Sequence, residues 1–75
     1  MEFKIIDDGK EINCESILIF RDDNNNRNYI VYMEENDDNV YSSRYNIVNG
    51  EIVLEAIENE YEWNMIDNML ERSGE

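Results

Sequence analysis

Up to residue 55 the chain alternates short apolar runs with polar turns, and the apolar positions recur with a period of two. Phe3, Ile5 and Ile6 lead into Asp8-Gly9, a hairpin signal, because both central residues of a type I′ turn need positive φ. A second strand is predicted over 11–20. Its even positions, Ile12, Cys14, Ser16, Leu18 and Phe20, form one mostly apolar face. Its odd positions start polar at Asn13 and Glu15 and turn apolar at Ile17 and Ile19. The far end is therefore either covered on both sides or carries an exposed patch. Residues 21–28 are polar turn formers and read as a loop. β-Branched and aromatic residues over 28–33 predict a third strand, followed by the acidic loop 34–39. Residues 40–48 alternate again, Asn49-Gly50 is the strongest hairpin turn in the chain, and 51–55 completes that hairpin.

The period then changes. Trp63, Ile66, Met69 and Leu70 recur at three- and four-residue spacing and predict an amphipathic helix over 60–72. Asn59 can cap it, with Glu62 reaching back from the third position and Glu60 adding charge where the helix dipole favours anions. Arg72 suits the other end, and Gly74 can close it. A helix this short is marginal alone and must dock on the sheet. Trp63, the largest side chain of the stripe, is the predicted anchor. The architecture is α+β: a five-stranded antiparallel meander, curled toward a partial barrel or open, with one C-terminal helix on one face.

Seventy-five residues make one domain, 1–75, with a thin core and no walls for a large enclosed cavity. Charge changes the picture most. Nineteen acidic residues stand against six basic ones, a net charge of -13. Phosphate contacts need clustered Lys and Arg, so direct binding to nucleic acid is excluded, and the same field repels anionic membranes. Cys14, the lone cysteine, fits a reducing compartment. The start, Met1-Glu2-Phe3-Lys4, has no basic, apolar leader character, and no run approaches a membrane span. The expected location is the cytoplasm.

Three stretches carry a resemblance: Ile17-Leu18-Ile19-Phe20 before a polar loop, Asn28-Tyr29-Ile30-Val31-Tyr32 after it, and Leu54-Glu55-Ala56-Ile57-Glu58 leading into Glu62-Trp63-Asn64-Met65-Ile66. With them the chain resembles, over nearly its whole length, the YrzB-like family of small acidic uncharacterised proteins of low-GC Gram-positive bacteria (domain of unknown function family 1292). Members similarly end in an acidic segment, a tryptophan and an amphipathic helix. Ala56 stands where the family often has proline, and the loops here favour asparagine over glutamate. The resemblance implies the architecture and no activity.

No catalytic constellation is present. Histidine is absent, which removes the usual general base near neutral pH, and Cys14 sits in an alternating strand as a small buried group without a partner base. The glycines are isolated turn or cap residues, not a phosphate loop. Asp22, Asn24 and Asn26 match three positions of a calcium loop, but Arg27 stands where glycine is needed and Met33 where a bidentate glutamate is needed. No enzyme activity, cofactor or dedicated metal site is expected.

What remains is binding. The expected role is a non-enzymatic protein-interaction module, a monomer or weak homodimer with a protein partner. The alternative is a nucleic-acid mimic that sits in the basic groove of a nucleic-acid-binding enzyme. Two surfaces are candidates. One is the sheet face opposite the helix, with Ile17, Ile19, Ile30, Tyr32 and Arg44, which is favoured if it stays open. The other is the acidic loop with Glu34, Glu35, Asp37 and Asp38.

Overall fold

The computed structural model describes residues 1–73. Strands β1 (Glu2–Asp7), β2 (Lys10–Asp22), β3 (Arg27–Glu34), β4 (Val40–Val48) and β5 (Glu51–Glu55) form one sheet, each paired antiparallel with its neighbours in sequence. Helix α1 (Glu60–Ser73) follows. Both predicted two-residue turns are present. Asp8 and Gly9 have φ of 50° and 75°, and Asn49 and Gly50 have 52° and 82°, the left-handed backbone that a type I′ turn requires. The expected helix stop at Gly74 lies outside the described residues.

One feature departs from simple alternation: a bulge at Ile17 divides β2. Ser16 lies opposite Tyr32 and Leu18 opposite Val31, so two steps along β2 match one along β3. Every later side chain of β2 therefore changes face. Ile12 and Cys14 pack with Ile30 and Tyr32, whereas Leu18 and Phe20 pack with Tyr29 and Val31. The single apolar face expected from Ile12 to Phe20 is thus two half-faces.

A bulge also bends its strand and tightens the local twist. The sheet curls until β1 approaches β5 and the barrel nearly closes. Inside lie Cys14, Ile30 and Tyr32, with Phe3, Ile5, Ile12, Tyr41, Tyr45 and Leu54 around them. The Tyr32 ring meets Phe3 edge-on at 5.6 Å and stacks on Tyr41 at 5.7 Å. Outside, Ile66 of α1 closes over Tyr29 and Val31, flanked by Leu18, Phe20, Ile57, Met65 and Leu70. One helix covers part of the outer face, and the sheet wraps around its inner face itself.

The helix start is built as its residues predict. Asn59 Oδ1 accepts the Glu62 N–H at 3.0 Å, and Asn59 Nδ2 donates to Glu62 Oε1 at 2.8 Å. Trp63 is the exception. It is 45 % exposed, whereas Glu62 and Ile66 are each 1 % exposed. The inward stripe is Glu62, Met65, Ile66, Met69 and Leu70. Trp63 and Glu62 both satisfy the spacing to Ile66, and the inner place goes to the residue with a buried partner.

Candidate functional site: an acidic groove

The β3–β4 turn is preorganised. Asn36 adopts φ of 65°, the Asp37 N–H donates to the Glu34 carbonyl at 3.2 Å, and the Glu35 N–H reaches back to the Asn13 carbonyl at 2.8 Å. Asn13 Nδ2 donates to Glu35 Oε2 at 2.9 Å, tying the turn to β2 a second time. Asp37 accepts the Asn39 N–H at 2.9 Å and the Tyr41 hydroxyl at 2.6 Å. The acidic loop is therefore held in one shape over the start of β1 and the middle of β2.

That shape leaves a groove of roughly 790 Å³ floored by Phe3 and Cys14, with Met33 on the other face of the sheet beside Glu15. Glu34 shares the inner face with Cys14, Glu2 and Glu15 lie opposite each other on the outer face, Glu35, Asp37 and Asp38 line the groove from the turn, and Lys4 is the one basic residue among the lining. Lys4 is already matched, since its Nζ lies 2.8 Å from Glu11 Oε1. The hydrogen bond from Tyr41 holds the Asp37 carboxyl below its usual range, and the same bond raises the Tyr41 hydroxyl. Burial, and then the charge of Glu34 opposite it in the ladder, push the Cys14 thiol up, so the groove floor is a neutral thiol rather than a nucleophilic thiolate. Among the described residues, no group of three or more His, Cys, Asp or Glu is placed to hold a metal ion.

Of the predicted contact residues, Glu34, Glu35, Asp37 and Asp38 come together on this groove. The sheet-face set does not assemble. Ile30 is fully buried and Tyr32 is 7 % exposed, both inside the barrel, so neither offers a docking surface. Ile17 and Ile19, on the bulged strand, stay 50 % and 39 % exposed. Arg44 lies on the helix side, not opposite it, because it pairs across the ladder with Tyr29.

Arg44 belongs to a polar cluster between sheet and helix that sequence patterning passed over. Its Nε donates to Glu62 Oε2 at 2.6 Å and its Nη2 to Glu62 Oε1, a two-pronged pair with Arg44 9 % and Glu62 1 % exposed. The Tyr29 hydroxyl donates to Glu62 Oε2 at 2.5 Å and accepts from Asn25 Nδ2 at 2.8 Å. Arg44 holds the Glu62 carboxyl at about 2 despite burial, and burial together with Glu62 raises the Tyr29 hydroxyl. Asp22, the first residue of the discarded calcium pattern, is used structurally. It accepts the Asn24 N–H at 3.0 Å and the Tyr61 hydroxyl of α1 at 3.0 Å. These contacts lock the helix in place.

The chain belongs to the family described as protein of unknown function DUF1292, whose model matches residues 7–74. No curated protein and no solved structure matches it. No helix among the described residues is long and apolar enough to cross a membrane.

Proposed function

Within a family without a known activity, we propose that this chain is a non-enzymatic interaction module that grips a cationic segment of a protein partner in its acidic groove. One observation carries the reading. Six carboxylates drawn from β1, β2, the end of β3 and the β3–β4 turn line one groove, where the one cation among the lining residues is already paired. Preorganised charge raises the encounter rate and selects partners of opposite sign. With no histidine in the chain and a neutral thiol at the groove floor, binding is the chemistry this site offers. A lone cysteine, which suits a reducing compartment, supports a cytoplasmic module, and a net charge of -13 that opposes self-association supports a monomer or at most a weak homodimer. Confinement of these carboxylates to one groove favours a segment-binding module over imitation of an extended phosphate track.

The test uses a fluorescent peptide of alternating lysine and valine. Affinity is expected to fall steadily as ionic strength rises and the Debye length shrinks to about 8 Å near 0.15 M. The four-amide variant Glu34→Gln, Glu35→Gln, Asp37→Asn, Asp38→Asn is expected to bind roughly tenfold more weakly. Salt-independent binding, or an unchanged affinity in that variant, would sink the reading. If a natural partner is found and duplex DNA displaces this chain from it, the mimic reading takes its place.

A further inference from the structure

We propose that the turn joining β4 and β5 is a site of spontaneous chemical modification, where the Asn49 amide is lost through a cyclic imide closed by the backbone nitrogen of Gly50. The type I′ turn holds both residues at positive φ, 52° and 82°, and glycine takes the second of these without strain. Glycine also leaves its own nitrogen unshielded. A Cβ built at Gly50 would meet nothing within 4 Å, so the tip of the turn stands in open water. Neither reacting group is tied down among the described residues. The ladder pairs Val48 with Glu51 and skips the two turn residues, and no turn hydrogen bond engages the Gly50 N–H or the Asn49 side chain. Ring closure needs the turn to flex, and an edge hairpin exposed over 46–51 has little to hold its tip. Asn46 and Asn59 differ on both counts. Their amides donate at 2.9 Å to Glu55 and at 2.8 Å to Glu62, and the residues after them, Ile47 and Glu60, carry side chains that crowd the attacking nitrogen. Asp8-Gly9 forms a similar turn but offers a carboxylate, which a nitrogen attacks far less readily than an amide.

The reaction needs water and nothing else. The Gly50 nitrogen gives up its proton and bonds to Asn49 Cγ, the Cγ–Nδ2 bond breaks, and ammonia leaves with that proton. Water then opens the ring at either carbonyl. Opening at the former side-chain carbonyl restores an ordinary backbone with aspartate at position 49. Opening at the backbone carbonyl gives isoaspartate, in which the chain runs through the side chain and is longer by one carbon. Either product makes the net charge of -13 more negative, but their structural effects differ. Aspartate before glycine suits the same turn. Isoaspartate does not, because a two-residue turn has no slack for another backbone atom while Val48 stays opposite Glu51. The strand it loosens is β5, an edge strand of 5 residues whose far end is held where Ser43 Oγ donates to the Glu55 carbonyl at 2.8 Å.

The full chain is held in mildly alkaline buffer and sampled by peptide mapping with mass spectrometry and by anion exchange. Conversion is expected at Asn49 before any other asparagine, with both aspartate and isoaspartate formed. The isoaspartate fraction is expected to melt several degrees below the parent, whereas Asn49→Asp, with the same charge and an ordinary backbone, melts close to it. Asn49→Gly keeps a turn-forming pair and is expected to gain negative charge much more slowly than the parent. An Asn49 amide wholly intact once the urea-unfolded chain has converted, earlier conversion at another asparagine, or an Asn49→Gly chain that acidifies as fast as the parent would overturn the site. An isoaspartate fraction that melts with the parent would overturn its effect on β5.

Discussion

Replacing Arg44 with alanine is expected to destabilise the fold by about 3–5 kcal/mol, because it strands the ionised Glu62 between sheet and helix. Stability on the order of 0.05–0.15 kcal/mol per residue leaves a chain of 75 residues little margin for such a loss. The pair itself is not the source of stability that this number suggests. Taking both charges out of water offsets much of their attraction, so Arg44→Met with Glu62→Leu together should cost less than either change alone. Denaturant unfolding of the two single variants and the double variant measures that coupling, and strictly additive losses would contradict it. The pair also has a pH signature. Glu62 is lowered from 4.5 to about 2 in the fold, so the unfolded chain takes up the proton first. Its contribution is complete above pH 4.5 and is lost as pH falls toward 2. Protonation of the other carboxylates relieves self-repulsion over the same range, so the parent is compared with Glu62→Gln. The parent should lose stability more steeply.

The second large effect concerns the helix. Ile66→Ala should cost about 2–5 kcal/mol, since Ile66 is 1 % exposed and seals Tyr29 and Val31. Trp63→Ala should cost less than about 1 kcal/mol, because nearly half of the side chain is in water. Thermal midpoints in the reverse order would mean that the helix docks on the tryptophan side of its stripe.

Those two residues show where sequence patterning is informative and where it is not. The five strands, both Asx-Gly hairpins and the Asn59 cap depend on local chemistry, namely alternation, positive φ and a side-chain acceptor at a helix start, and local chemistry can be read from neighbours in the chain. The bulge at Ile17 depends on pairing with β3. Ile17-Leu18-Ile19-Phe20 is apolar at every position, so alternation there does not say which parity faces the helix. The same blindness put Arg44 on the wrong face and Trp63 in the core. A buried charge is a long-range choice: Arg44 and Glu62 are 18 residues apart, and neither has a local signature of burial. One sign was available. With six basic residues in the chain, an arginine inside an alternating strand has many acidic partners to choose from, and Glu62 falls four residues before Ile66 on the same helix face.

The acidic site was legible for the opposite reason. Glu34, Glu35, Asp37 and Asp38 lie at the end of β3 and in the turn after it, so sequence proximity places them near one another before any tertiary contact is known. Glu2 and Glu15 were not predicted to join them, because they arrive through the pairing of β1 with β2, where they lie directly opposite each other. Like charges facing across a ladder are destabilising. Their placement at the rim of the groove is a cost in stability that a cationic partner would relieve.

The central claim is that a cationic segment binds at this groove and not to negative charge in general. The most direct measurement compares two variants of equal net charge. One is the four-amide variant of the groove. The other is Asp23→Asn, Glu60→Gln, Asp67→Asn, Glu71→Gln, four exposed carboxylates that do not line the groove. Binding of the lysine–valine peptide is followed at fixed ionic strength for both. Loss of affinity in the groove variant, with the other close to the parent, is the predicted result; equal losses in the two variants would contradict it.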